Sequence, residues 1–423
     1  MLTIKDQQRA AGRRSLAPPA LLTGANLQWA CLILPIAATL YSAVIALGVA
    51  HGLPGSYQTV VLCEVLLLGF AVASLLASGL TSDDWPPILL LYFLVVIAVI
   101  LSMVNSRPMI ETLRSTFLIG IFAMIGQRMT AKTLDTAFFV VAMVVVVVLL
   151  IEIFAQGTYV WLFQPQAFFT ATRGMQASEY NNSGLFNNAS SFEGRFSFGF
   201  FDIPRTSSVF MEQVSNANFA CVLALYISAR WGALSSVKRG ALLGTVALIL
   251  VSTNGRFASL LVLAMALGFF VFPMLGRITL PLASMAIAGI AIAINMIYPF
   301  QPGDDLIGRI TFAGKMFGEA DWPFYLGARA SDALRQRDSG YTYLIGSTTI
   351  FGAIALWAFV NFYPRANDAP SRRLAFGVVG YMLGQLLVSS TSLFSIKTAA
   401  LLWALVGCVR MQEAIKPRRR AEA

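Results

Sequence analysis

The ionisable side chains within or beside the apolar segments of this chain are its strongest candidates for chemistry. Several of them fall near the same end of those segments, namely Glu64, Glu111, Arg114, Glu152, Glu212, Arg256 and Lys397. Burying charge among apolar groups is costly, so such residues usually line a site or a pathway. Their convergence on one surface predicts chemistry at a membrane interface rather than a channel through the middle.

The composition indicates an integral membrane protein. Of 423 residues, 57% are hydrophobic and 12% are charged, and the mean hydropathy is +0.72, far from the average of soluble domains. We predict a single, all-α, polytopic domain over residues 1–423 with about twelve transmembrane helices. The apolar stretches lie at 27–50, 58–80, 87–104, 110–126, 134–155, 208–229, 240–254, 257–275, 278–299, 339–362, 374–390 and 394–412.

The distribution of Lys and Arg predicts the orientation. With the N-terminus inside, eighteen basic residues fall on the cytoplasmic side and three in the opposite short loops, and cytoplasmic segments normally hold the excess. Both termini are therefore predicted to be cytoplasmic. Residues 1–20 are basic and polar, unlike a cleavable signal peptide. The net charge of +10 is interpreted as a topology signal, so nucleic acid is not an expected partner.

Cysteine and histidine offer little for metal chemistry. The four cysteines lie in apolar runs without pairing or metal spacing, which is typical of packing residues. The single histidine, His51, follows the first apolar segment and is interpreted as an interfacial loop residue. The sequence predicts no metal site and no cofactor.

Two segments interrupt the apolar pattern on the predicted outer side. Residues 156–207 are rich in aromatic, Asn, Ser and Gly residues, and residues 300–338 alternate charged with aromatic side chains. Loops of this length are generally functional or disordered, and the aromatic content favours order. We predict two periplasmic loops that cap the outer helix ends, with short amphipathic helices in the second.

Three short motifs border these loops. RTSSVFMEQVSNANFA contains Arg205 and Glu212, STNGRFASLLVLA contains Arg256, and RDSGYTYLIGSTTIFG contains Asp338, Ser339 and Tyr341. Together with the topology, they resemble the superfamily of O-antigen ligases and Wzy-type polysaccharide polymerases. Ligases usually carry a histidine where this chain has Asp338, which favours a polymerase. The length, basic termini and loop layout are similar to exopolysaccharide polymerases, including those of the xanthan type.

The resemblance implies glycosyl transfer at the periplasmic face of a bacterial inner membrane. The donor would be a glycan on undecaprenyl pyrophosphate, the acceptor a lipid-linked repeat unit, and the product an exopolysaccharide or O-antigen. Chain-length regulators and export proteins are implied partners. The expected mechanism is a single inverting displacement without a metal, although a retaining route through a carboxylate nucleophile stays open.

The chemistry assigns candidate roles to the arginines and carboxylates. A departing lipid pyrophosphate needs fixed cations, and Arg205 and Arg256 are the candidates for this clamp. Alternatively, each arginine snorkels or forms a structural ion pair with Glu212 or Glu152. Asp338 is the candidate general base, but it is equally a helix N-cap. Glu212 is the alternative base or an ion-pair partner.

Substrate contacts are predicted from the second loop and the segment after it. Tyr341 and Trp322, with neighbouring loop aromatics, are candidates for stacking on sugars, although an interfacial aromatic belt explains them equally. Arg329, Arg335 and Arg337 are candidates for phosphate contacts or a solvated face.

A transporter or flippase of lipid-linked oligosaccharides is the alternative from another functional class. Transporters generally bind near the bilayer midplane through broken helices and show internal repeats. The sequence shows neither feature, whereas charges concentrated at one face favour an enzyme.

Overall fold

The structure of the chain is a computed structural model. It describes residues 22–176, 183–189, 197–200, 204–298, 300, 306–330, 339–389 and 394–421. The predicted site residues Arg335, Arg337 and Asp338 lie outside the described residues.

The described residues form helices joined by turns. The long helices are α1 (Gly24–Ala50), α2 (Tyr57–Ser78), α3 (Trp85–Val104), α4 (Ile110–Arg128), α5 (Ala131–Phe154), α8 (Gln213–Arg230), α9 (Ser236–Thr253), α10 (Arg256–Val271), α11 (Thr279–Ile297), α14 (Gly340–Phe362), α15 (Ala369–Leu386) and α16 (Ile396–Ala421). Shorter ones are α6 (Gln156–Phe163), α7 (Pro165–Arg173), α12 (Leu306–Glu319) and α13 (Trp322–Tyr325).

Each predicted apolar segment falls on one of the long helices. Among the described residues, eight helices have the length and apolar composition to cross a membrane, namely α1, α2, α3, α5, α9, α10, α11 and α14. These eight confirm an all-helical, multi-pass membrane protein, whereas the count of twelve spans stays a prediction. The remaining long helices, α4, α8, α15 and α16, are more polar.

The more polar helices form the interior of the bundle. Almost every residue of α8 is buried, including Ser215, Asn216 and Asn218, whereas α2 and α11 bury only 11% of their apolar windows. A helix shielded from lipid by other helices can carry polar groups that face protein or water. The polar positions therefore mark the inside of the bundle, and the most apolar helices form its lipid-facing wall.

The closest crossing in this interior joins α4 to α16. A Cβ atom on Gly126 would lie 2.1 Å from the Ala404 carbonyl oxygen, and one on Gly407 would lie 2.0 Å from that of Ala123. Only glycine allows the two backbones to approach this closely. Both helices run from the same end of the bundle, so this crossing fixes their relative positions.

The segment predicted to span 208–229 becomes helical only at Gln213, so the predicted start was wrong. Residues Ser208–Phe210 form a short 3-10 turn, and Ser208 and Met211 have positive φ values of 49° and 61°. Side chains from other helices hold the backbone of this turn, as described below, and thereby prevent the helix from starting earlier.

The first predicted loop contains two helices that were not predicted from the sequence. It begins with α6 and α7, which turn over the end of α1 and pack on it. Their buried aromatic residues include Tyr159, Phe163, Phe168 and Phe169. Pro165 opens α7, where a missing N–H costs nothing, and Gly174 in a left-handed conformation ends it.

The second predicted loop contains helix as expected. α12 packs against α11 and α14, and the short α13 packs against α14. The side chain of Asn105 donates to the Gly327 carbonyl at 2.9 Å and accepts from the Ala330 N–H at 3.3 Å. These contacts attach the described part of the loop to the end of α3.

Candidate functional site

A polar cavity of about 120 Å³ lies where α1 ends and α2 begins. We call this end of the bundle the cavity end, and the end at which α2 finishes the opposite end. Charged side chains from several elements line the cavity: Glu64, Glu111, Arg114, Arg173 and Lys397. A space of this size with several polar partners admits water.

Glu64 and Arg114 form the first ion pair of the cavity. Arg114 Nη1 lies 3.0 Å from Glu64 Oε2, and both side chains are largely buried. The alignment is poor for donation, and Arg114 Nη1 makes no hydrogen bond within the described structure. The Tyr41 hydroxyl donates to the other carboxylate oxygen, Glu64 Oε1. Arg114 therefore keeps donor capacity beside the cavity while its charge is balanced.

Arg173 and Glu212 form the second ion pair. The two guanidinium nitrogens of Arg173 lie 3.4 and 3.5 Å from the two carboxylate oxygens, a long and weak fork compared with the usual 2.7–2.9 Å. The guanidinium also lies 4.6 Å from the centre of the Phe169 ring. Arg173 is thus oriented by the aromatic ring and only loosely held by the carboxylate.

The Glu212 carboxyl lies just before α8, where neighbouring cations favour its ionised form. Burial alone would raise its pKa, but the charges of Arg173 and Lys397, with hydrogen bonds from Arg173 and Ser215, lower the pKa below its usual value. A carboxylate with a lowered pKa is a poor proton acceptor. Of the two predicted roles for Glu212, the geometry favours the ion-pair partner, and that partner is Arg173.

Lys397 contributes a third cation from the first turn of α16. Its side chain is only 5% exposed, and its Nζ donates to the Phe210 carbonyl at 3.1 Å. A buried ammonium requires nearby negative charge or acceptors, and Glu212 is the first of its attracting charges. Lys397 therefore connects the cavity with the turn that precedes Glu212.

Glu152 is buried beneath that turn and does not line the cavity. Its carboxylate accepts from the backbone N–H groups of Ser207 and Ser208 at 2.6–3.0 Å and from the Ser207 hydroxyl at 3.1 Å. Positive φ at a non-glycine residue costs about 1–3 kcal/mol and persists only when its surroundings enforce it. Glu152 supplies part of that enforcement at Ser208.

The predicted clamp arginines lie near a different turn. Arg205 Nε donates to the Thr253 carbonyl at 2.6 Å, and Arg256 is the exposed first residue of α10. Asn254, which follows Thr253 in the chain, has a left-handed conformation with φ of 49°. The structure thus brings Arg205 to the turn that carries Arg256. Neither contributes to the lining of the 120 Å³ cavity.

The predicted substrate-binding residues are dispersed. The Tyr341 hydroxyl donates to the Leu383 carbonyl at 3.0 Å, and its ring lines a separate apolar cavity of about 170 Å³ between α11, α14 and α15. Trp322 is 75% exposed at the start of α13, and Arg329 pairs with Asp321 at 2.9 Å on the surface. None of these three lines the charged cavity.

Arg173 is the cavity residue that the sequence interpretation missed. It is the last residue of a short helix, PQAFFTATR, in a segment predicted to be a loop. The proline at the start of that helix, its apolar face and the glycine that follows it were the signals available in the sequence. Glu64, Glu111, Arg114 and Lys397 were recognised as converging charges, but no specific role was assigned to them.

The cysteines and the described metal-ligating residues add no further site. Cys31, Cys221 and Cys408 are buried thiols, and His51 lies exposed at the end of α1 with its ring 5.2 Å from that of Trp161. Within the described residues, no group of three or more His, Cys, Asp or Glu side chains has a geometry that holds a metal ion.

Comparison of the chain with protein-family models, curated proteins and solved structures finds no match. The function is therefore argued from the residues of the site.

Proposed function

We propose that this protein is a membrane glycosyltransferase of the Wzy polymerase type, which joins undecaprenyl-pyrophosphate-linked repeat units at the periplasmic face of a bacterial inner membrane. One observation carries the proposal: Arg114, Arg173 and Lys397, from three separate elements, meet carboxylates in one polar cavity at the predicted outer end. Such a cavity suits a reaction whose leaving group is a lipid diphosphate.

The cations would stabilise the diphosphate as it departs. Negative charge on the leaving group grows in the transition state, and preorganised donors in a partly dry site are the strongest means of stabilising it. Arg173 suits this role because its 3.4–3.5 Å contacts with Glu212 are easily exchanged for shorter ones with phosphate oxygens. Lys397 and Arg114 would add charge from the other walls.

We assign the activation of the acceptor to Glu64, because its carboxylate lines the cavity beside Arg114. The acceptor hydroxyl would attack the anomeric carbon, its proton would pass to Glu64, and the bond between that carbon and the diphosphate oxygen would break with inversion. The Tyr41 hydroxyl fixes the orientation of the carboxylate. Asp338, the general base predicted from the sequence, lies outside the described residues, and its role stays a prediction.

Arg205 and Arg256 would serve the second lipid-linked substrate. Polymerisation brings together two diphosphate-linked glycans, and each needs cations for its head group. The turn at Thr253 and Asn254 places these arginines apart from the cavity lining, as a separate binding position requires. We expect Arg205→Ala and Arg256→Ala to raise the KM for one substrate more than they lower kcat.

The test is reconstitution of the purified protein in liposomes with purified lipid-linked repeat units. An enzyme lengthens the glycan without an ion gradient, which a ladder on a gel reports, whereas a flippase only moves the units across the bilayer. Arg173→Ala and Glu64→Gln should abolish the ladder. Lys315→Ala is the control, because this lysine pairs with the exposed Glu319 and does not line the cavity. Elongation by Arg173→Ala and Glu64→Gln at the wild-type rate would refute the assigned site.

A further inference from the structure

The turn between Thr206 and Glu212 is an unusual piece of buried backbone. It is not α-helical, yet each of its residues is at most 8% exposed. In a membrane protein, irregular backbone persists only where protein or trapped water satisfies its polar groups. The groups that hydrogen-bond to this turn therefore show how its conformation is maintained.

Five helices supply those partners, beginning with α9, whose Ser252 carbonyl accepts from the Thr206 N–H at 3.1 Å. Tyr159 of α6 donates to the Ser208 carbonyl at 2.8 Å, and Ser42 of α1 donates to the Val209 carbonyl at 3.3 Å. The other two partners are charged: Lys397 of α16 binds the Phe210 carbonyl, and Glu152 of α5 binds the Ser207 and Ser208 N–H groups. A carboxylate thus holds the start of the turn, and an ammonium holds its end.

The turn delivers a functional group at its far end. Glu212 follows directly and contacts Arg173 at the cavity. A single buried carboxyl group accepts from two successive backbone N–H groups and from the Ser207 hydroxyl. It thereby fixes the turn through three donors, and its burial is tolerated because both of its oxygens are hydrogen-bonded.

We propose that Glu152 is a positioning residue, which acts through the Ser207–Ser208 backbone to fix Glu212 and, through it, the guanidinium of Arg173. The inference rests on the proposed function for the identity of the ligand, a diphosphate. The contacts of Glu152 with the turn do not depend on that identity. Glu152 itself lies away from the substrate and takes no proton in the reaction.

A matched control exists at the opposite end. Glu413 is also buried, and its carboxylate accepts from the N–H groups of Asn367 and Asp368 and from the Ser371 hydroxyl at 2.8–3.1 Å. It holds a turn with the same set of donors, far from the cavity. All three bonds go to Oε1, and Glu413 Oε2 has no hydrogen-bond partner within the described residues. Glu413→Gln is therefore the control for replacing a buried carboxyl group that holds a turn away from Arg173.

The first readout is glycan elongation in a double-mutant cycle. Glu152→Gln should lower kcat/KM by about 100-fold, the loss expected from misplacing a functional group by 1 Å. In the Glu212→Gln background it should cause no further loss, because both changes release the same guanidinium. Glu413→Gln should leave kcat/KM near the wild-type value. Additive losses from Glu152→Gln and Glu212→Gln would overturn the proposal.

The second readout uses inorganic pyrophosphate as a probe and requires no turnover. Pyrophosphate should raise the melting temperature of the detergent-solubilised wild type and Glu413→Gln proteins, but not of Glu152→Gln or Arg173→Ala. A wild type that binds pyrophosphate without elongating glycans would refute the proposed function and leave the positioning role supported by this pattern. Elongation by Glu152→Gln at the wild-type rate would refute the positioning role alone.

A milder variant covers the case in which Glu152→Gln does not accumulate. Ser207→Ala removes one hydrogen bond to Glu152 and leaves both backbone donors in place. It should lower kcat/KM in the wild type and not in Glu212→Gln. An equal loss in both backgrounds would mean that the turn only stabilises the fold.

Discussion

The two ends of the bundle hold arginine–carboxylate pairs of different quality. At the opposite end, Arg128 binds both oxygens of Asp84 at 2.8 and 2.9 Å and also Ser78, Gly79 and Met124. Arg230 likewise binds both oxygens of Asp135. At the cavity end, the corresponding contacts are long or poorly aligned. Similar residues thus act as scaffold at one end and keep donors available at the other.

The largest effect is expected at the scaffold end. Arg128→Ala removes every bond of that guanidinium and leaves the buried Asp84 carboxylate without its counter-charge, with the Thr81 N–H and hydroxyl as its remaining donors. We expect this loss to cost about 3–5 kcal/mol of unfolding free energy. Protein yield and thermal unfolding in detergent measure this loss. Arg128→Lys should recover only part of the stability, because an ammonium cannot form the fork. A wild-type melting temperature for Arg128→Ala would contradict the view that the ion pairs at this end stabilise the fold.

The next effect concerns activity rather than stability. Arg173→Ala should accumulate normally, because the contacts of Arg173 with Glu212 are long, the Arg173 side chain is 35% exposed, and Glu212 keeps the hydrogen bond from Ser215. It should nevertheless lower the elongation rate about 100- to 1,000-fold. Liposome elongation and detergent melting separate the two quantities. A large drop in melting temperature with little change in elongation would reverse the assignment of this pair.

A smaller effect is expected from closing the helix crossing. Gly407→Ala places a methyl group against the Ala123 backbone, and we expect overpacking to cost about 1–3 kcal/mol. Gly276→Ala is the control, since nothing lies within 4 Å of the added carbon. Thermal unfolding compares the two variants, and equal melting temperatures would contradict the close approach.

The smallest effect is expected for an exposed pair. Arg329→Ala should change stability by at most about 1 kcal/mol, since surface ion pairs contribute little, and should leave elongation unchanged. Salt titration of the melting temperature provides the measurement. A strong effect on elongation would show that the second loop takes part in binding, as its arginines first suggested.

The fold was more predictable from the sequence than the pairing of its charges. Apolar runs such as 131–154 identify helices because lipid selects length and composition. Contacts such as the hydrogen bond between Arg205 and Thr253 depend instead on helix rotation and on turns, which leave no periodic pattern in the sequence. Arg173 was missed because a short helix between two loops leaves a weak pattern. The contact of Tyr341 with α15 likewise depends on how the first turn of α14 packs, which the sequence pattern does not record.

The crossing of α4 and α16 influences the distance between Arg114 and Lys397, which line the cavity from these two helices. Arg114 lies on α4 and Lys397 lies on α16, each roughly 15–18 Å along the helix axis from the glycine contact. If one helix tilts by roughly 5° about that contact, its charged residue moves by roughly 1.5 Å relative to the other helix. Substitutions deep in the bundle can therefore retune the spacing of the charges without touching the residues that carry them.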